Sequence, residues 1–400
     1  MRKICGLIYL GSGAGKRLPE EGENMKAVVA IDSFKGSMDS MRAGNAAKKG
    51  ILAADPSWNV VVFPVADGGE GTAKALLSGM GGTEISLQVT NPLGEAVTAG
   101  YGLIERGEEG SLAVMEMASA AGITLVSEKD PFRASTRGVG EMIEDALERG
   151  CRDFLIGIGG SATNDGGIGM LQALGFRFLD RDGRDVGEGA QALGKISRIE
   201  RENRHPLLDK ARFRIACDVT NPLCGKLGAT YIYGPQKGVK PEELEQLDAD
   251  MAVYARAAEE ACGCRTAETA GAGAAGGLGF AFVTFLGGIL MPGTSLVLET
   301  IGLEREMKDA DVVVVGEGRL DAQTAMGKAP AGVAALAKKY GARVIAFAGS
   351  IGAGAKACHQ AGIDAYFPIV RGITTLEEAM EPEEAMKNMA LTAEQVFRLL

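Results

Sequence analysis

Two kinds of hydrophobic pattern divide the chain. Near both ends, apolar residues come in short unbroken runs: "KAVVAI" (26–31), "NVVVFPV" (59–65), "DVVVVGEG" (311–318) and "ARVIAFAG" (342–349). Continuous Val/Ile runs separated by helices are parallel strands covered on both faces. Helical spacing fills the gaps, in "DSMRAGNAAKKGILAA" (39–54) and again over about 328–340. Residues 83–117 read differently. "TEISLQVT", "VTAGYGLI" and "LAVMEM" are joined by the turns "NPLG" and "ERGEEG", a meander rather than a βαβ series. The termini are therefore expected to build one doubly wound domain, split by a second domain from the middle of the chain. The crevice between such domains is the expected ligand site.

Composition narrows the partners. Four hundred residues at 46% hydrophobic suffice for a large core in two domains. A net charge of −10 argues against nucleic acid and anionic membrane, so an anionic substrate needs a local basic site. No apolar run spans a bilayer. Seven cysteines, an odd number in a large acidic chain, point to reduced thiols and a cytoplasmic protein. Only His205 and His359 are present, so acid–base work falls to carboxylates and lysines.

The stretch "GSGAGKR" (11–17) resembles a phosphate-binding loop but fails the spacing. A Walker loop needs glycine where Leu10 stands and Ser or Thr where Arg17 stands, and the dinucleotide fingerprint needs glycine at Lys16. A looser likeness to nucleotidyltransferases rests on residues 10–19 alone. Residues 1–24 are expected to be a flexible N-terminal extension.

Later loops carry more chemistry. "IDSFKGS" (31–37), "ADGGEGT" (66–72), "FLIGIGGSATNDGGIGM" (154–170) and "ACDVTNPLCG" (216–225) combine glycines with Asp, Lys and Asn. "GPQKG" (234–238), "GAGAAGGLG" (271–279) and "VGEGRLDAQTAMGKAP" (315–330) continue the series. Singly, each is an ordinary turn. Together they offer backbone N–H groups for phosphate oxygens, carboxylates for Mg²⁺ and a hydroxyl proton, and lysines for developing charge. That combination suits phosphoryl transfer to a small acidic metabolite.

"DSFKGS", "DGGEGT", "GGSATNDGG", "CDVTNPL", "GPQKG", "GAAGGLG" and "EGRLDAQTAMGKAP" occur in this order over roughly residues 25–400, and so the chain resembles the bacterial, ATP-dependent glycerate kinase family. The resemblance implies an α/β fold: a Rossmann-like doubly wound parallel-sheet domain from 25–65 and 285–400, split by an inserted mixed α/β domain over 66–284, with the active site in the interdomain cleft. It implies ATP, Mg²⁺ and D-glycerate as partners and 2-phosphoglycerate as product, with 3-phosphoglycerate and a homodimer left open. The family pattern begins near Met25, and Ile31 stands where Pro is expected. A non-catalytic sugar-acid sensor is the alternative reading of the same pocket.

Individual roles follow from residue type. Asp321 is the expected general base, with Asp218 as runner-up and Lys35 as a catalytic cation. Ser33, Arg319, Lys328 and Lys237 are expected to bind substrate or phosphate, together with Gly159, Gly160, Ser161, Thr163 and Asn164. Asp67 and Asp165, each beside a glycine pair, are the expected metal ligands; Asp32 is a further carboxylate candidate.

Overall fold

A computed structural model of the chain describes residues 25–400; "GSGAGKR" and the expected extension lie outside them. The chain divides into two compact units, one reaching Phe63 and resuming over Gly302–Leu400, the other comprising Pro64–Ile301. The first begins with β1 (Lys26–Ile31) and β2 (Asn59–Pro64). The second holds β3 (Thr83–Thr90), β4 (Ala96–Glu105), β5 (Ser111–Glu116), β6 (Asp153–Gly157), β7 (Arg177–Leu179), β8 (Arg198–Glu200), β9 (Arg212–Ala216) and β10 (Ile289–Met291). The first unit resumes with β11 (Val312–Leu320), β12 (Arg343–Ile351) and β13 (Ala365–Pro368).

In the first unit the Val/Ile runs form a five-stranded sheet in the order β13-β12-β11-β1-β2. The β13–β12, β12–β11 and β11–β1 pairs are parallel, with Val312–Val315 between Ala27–Ala30 and Arg343–Ala346. Every residue of β1 is buried, Lys26 included. Its ammonium is tolerated because it reaches Glu306 and Asp309 at 2.7 and 2.6 Å. The helix Ser40–Ala54 starts where the Asp39 carboxylate accepts the N–H of Arg42 at 2.9 Å. It lies so close to the helix Pro382–Phe397 that a Cβ on Gly50 would stand 2.0 Å from the carbonyl oxygen of Ala390.

The second unit is built on a six-stranded mixed sheet, β10-β9-β6-β5-β4-β3. Strands β10 to β5 pair parallel; β5-β4-β3 pair antiparallel, the expected meander. The second boundary lies at 301/302, not at 284/285. Strand β10 takes its hydrogen bonds from β9, and Leu296 and Val297 of the next helix, Gly293–Thr300, pack with Leu155 and Ala216. Residues 285–301 thus find both their ladder and their core in the inserted unit. No helix among the described residues is long and apolar enough to cross a membrane.

Candidate functional site

The second unit contains a cavity of about 420 Å³ at the C-terminal ends of β6 and β9. Ligands in parallel sheets collect there, where strand ends release the chain into loops. From β6 the chain runs through Ile158 into Gly159-Gly160-Ser161, which forms one wall. The loop is pinned: the N–H of Ile123 donates to the Gly160 carbonyl at 2.8 Å, and that of Ala162 to the Ala121 carbonyl at 2.9 Å. The N–H groups of Gly159, Gly160 and Ser161 have no acceptor among the described residues. Both glycines are exposed. Three consecutive unsatisfied donors on a fixed loop are a cradle for anionic oxygens.

Lys237 closes the cavity from behind. It ends the single turn Pro235–Lys237 and is only 2% exposed. Its Nζ donates to Ser161 Oγ at 2.7 Å and to the Thr163 carbonyl at 2.6 Å. Burial pushes its ammonium down to about 7, and the charge of Asp165 works in the opposite direction.

Thr163, Asn164 and Asp165 are fully buried. Thr163 and Asn164 support the loop rather than line the cavity, with Asn164 Nδ2 donating to Thr230 Oγ1 at 3.1 Å. Asp165 departs from its expected role as a metal ligand. Its Oδ2 accepts from the N–H and hydroxyl of Thr136, both at 2.8 Å, and from the Gly169 N–H at 3.3 Å. Its Oδ1 accepts the Gly167 N–H at 3.0 Å. Burial pushes this carboxyl up, and the four donors pull it down. With both oxygens committed inside the protein, Asp165 ties the glycine loop to the start of the helix Arg137–Glu148.

Two other carboxylates are more open. Asp218 follows β9, lines the cavity, and accepts the Gly293 N–H through Oδ1 at 2.9 Å. Asp67 accepts the Gly69 N–H through Oδ1 at 3.0 Å, and Gly68 and Gly69 line the cavity. Desolvation, then the nearby charge of Asp67, pushes Asp218 up. The Oδ2 of each has no partner among the described residues.

The remaining expected residues sit at strand ends of the first unit. Ser33 N–H donates to Asp32 Oδ1 at 2.6 Å, and Lys35 is exposed just beyond. At the end of β11, Arg319 Nε lies 3.4 Å from Asp321 Oδ2, while Asp321 Oδ1 accepts the Gln323 N–H at 2.9 Å. Lys328 Nζ lies 3.8 Å from Glu317 Oε2. The Thr324 hydroxyl donates to Glu317 Oε1 at 2.5 Å, so the buried Glu317 organises this loop.

Comparison with known proteins bears on all of these loops. A family model described as the glycerate kinase family matches residues 27–400. The chain belongs to the glycerate kinase family. It is an enzyme, an ATP-dependent kinase. It is 45% identical to the glycerate kinase of Bacillus subtilis over 374 residues, covering 93% of this chain and 97% of the relative. It is 42% identical to the glycerate 2-kinase of Escherichia coli over 375 residues, covering 92% and 98%. The crystal structure of putative glycerate kinase 2 from Salmonella typhimurium LT2 matches with a TM-score of 0.86 at 40% identity, covering 94% of this chain and 98% of that one.

Two residues of this glycerate kinase's cavity wall, Ile123 and Tyr233, lie outside the loops singled out in the sequence, and Ala275 lies inside "GAGAAGGLG" without an expected role. Ala275 has φ 53° and ψ 36° and is the sole non-glycine residue with positive φ among those described. Gly276 and Gly277 continue the left-handed turn, and a Cβ on Gly276 would meet the Thr163 carbonyl oxygen at 2.1 Å. The glycine at 276 is what lets the backbone cross behind Thr163. "GPQKG" follows the helix Ala229–Tyr233.

Proposed function

We propose that the protein transfers the γ-phosphoryl group of ATP to D-glycerate, giving 2-phosphoglycerate. The observation that carries this is the three-donor cradle at Gly159–Ser161, backed by a buried lysine and sharing its cavity with the open carboxylate of Asp218. The names of the relatives support the substrate, and that of the Escherichia coli relative supports the 2-position.

Phosphoryl transfer needs positioning, charge neutralisation and removal of one hydroxyl proton. The cradle, with the Lys237 ammonium behind it, holds anionic oxygens. Asp218 accepts the hydroxyl proton through its free Oδ2, and its upward shift makes it a stronger base than an ordinary aspartate. Asp321 ranks below it, since one oxygen caps a turn and the other faces Arg319. Arg319, Lys328, Lys35 and Ser33 supply cations and a hydroxyl for phosphate or carboxylate groups.

Magnesium fits the residues present. Asp67 offers a free hard oxygen beside Asp218, and Mg²⁺ takes one or two protein carboxylates while keeping several waters. When bound, it would neutralise charge on the phosphate oxygens. No group of three or more possible ligands occurs among the described residues.

The test is a coupled assay with Mg-ATP and D-glycerate, the product identified by NMR. Glycerate-dependent ADP release with 2-phosphoglycerate as product is expected. Exclusive 3-phosphoglycerate overturns the regiochemistry, and absent turnover supports the sugar-acid sensor. Asp218→Asn should lose about 10²–10⁴-fold in kcat, and a larger loss in Asp321→Asn would transfer the base to that residue.

A further inference from the structure

The contact between Lys237 and Ser161 fixes more than the loop. An ammonium has donors only, so Ser161 Oγ must accept from it across their 2.7 Å contact. A serine hydroxyl also has one hydrogen to give. No acceptor for that hydrogen occurs among the described residues, and Ser161 lines the cavity. The second Nζ contact, 2.6 Å to the Thr163 carbonyl, anchors the ammonium so that it cannot follow a ligand. Ser161 is pinned as well, since the residues on either side of it are bonded to Ile123 and Ala121.

We propose that Lys237 is a positioning residue: by occupying the acceptor side of Ser161 Oγ, it turns the Ser161 O–H into the cavity as a fourth fixed donor beside the three loop N–H groups, for an oxygen of a carboxylate or phosphoryl group. This rests on the reading of the cavity as the kinase's anion site, and it gives Lys237 an action through Ser161 rather than a contact of its own. An anion in the cradle favours the ammonium over the amine, so ligand and lysine proton reinforce one another. The full positive charge behind the serine also strengthens its O–H as a donor.

A double-mutant cycle with Ser161→Ala and Lys237→Met tests the coupling. KM for glycerate, KM for ATP, kcat and Tm are read on all four proteins. Ser161→Ala should raise one of the two KM values by about tenfold, the worth of one hydrogen bond to a charged oxygen. Lys237→Met should raise the same KM by a similar factor. The double variant should be no worse than about twice the weaker single variant, because both changes remove one donor. Ser161→Thr, which keeps the hydroxyl, should recover most of the loss. A shift in KM for glycerate identifies a carboxylate in the cradle, and one in KM for ATP identifies phosphoryl oxygens.

Multiplying effects in the double variant would overturn the proposal, as would a Lys237→Met effect confined to Tm and kcat. If Lys237→Met fails to fold, Ser161→Ala decides alone, and unaltered KM values overturn the outward hydroxyl. If the wild type turns over no glycerate, calorimetry with D-glycerate, ADP and inorganic phosphate reads the same cycle as dissociation constants. A coupled loss there fails the kinase reading and sustains the serine's role; no binding to the wild type overturns both. Turnover in the wild type with an additive cycle fails only the present proposal.

Discussion

A lysine that is 2% exposed in ligand-free protein leaves a signature in stability. Its ordinary value is 10.5 and burial lowers it to about 7. Below pH 7 both native and unfolded chains hold the proton, and the native state bears the whole cost of burying the charge. Between pH 7 and 10.5 the unfolded chain holds a proton that the native chain has released, so unfolding free energy rises with pH. Lys237→Met lacks the group. The wild type should therefore gain on this variant across that window, on the order of 1.4 kcal/mol per pH unit. Urea denaturation of both proteins at pH 6, 7, 8, 9 and 10 checks it, since titrations common to both cancel in the difference. A difference independent of pH would mean that Asp165 keeps the ammonium charged throughout. The sequence showed Lys237 only as a cation in a glycine turn. Its burial depends on Ser161 and Thr163, more than seventy residues away in the chain.

At the scale of elements, legibility followed length and period. The runs of β1, β2, β11 and β12 are unbroken and Val-rich, and each lies within two residues of its expected place. Strand β10 is three residues long and follows the helix Ala274–Leu286 directly, so no period separates "ILM" from the helix end. That is why the domain boundary was drawn seventeen residues early. The turn Ala275–Gly277 was hidden for another reason: small residues in series do not reveal handedness. A left-handed alanine costs roughly 1–2 kcal/mol, and glycine adopts the same angles freely. Ala275→Gly should therefore stabilise the protein by about 0.5–1 kcal/mol after the added freedom of the unfolded chain is subtracted. Guanidinium titration reads this directly. A loss of stability would show that the methyl of the buried Ala275 packs for more than the strain it brings.

For the molecule as a whole, the decisive fact is where the phosphate chemistry lies along the chain. The family match runs over residues 27–400, which leaves out "GSGAGKR". In the proposed reading, the N–H groups of Gly159–Ser161 supply the donors that a loop at 11–17 would otherwise have to provide. Electrostatics gives the first 24 residues no separate role: four basic and three acidic side chains there leave the net charge at −11 when removed, against −10 for the whole chain. Attraction of anionic substrates into an acidic protein must come from local cations, because like charges repel strongly across a poorly screened cavity. A protein beginning at Met25 should keep its kcat/KM for both substrates within about twofold, as expected when the surrounding field hardly changes. Steady-state kinetics on the two proteins, with circular dichroism to confirm equal folding, makes the comparison. A loss beyond about tenfold at unchanged folding, more than 1.4 kcal/mol in transition-state binding, would put "GSGAGKR" in the nucleotide site and reopen the nucleotidyltransferase reading of residues 10–19.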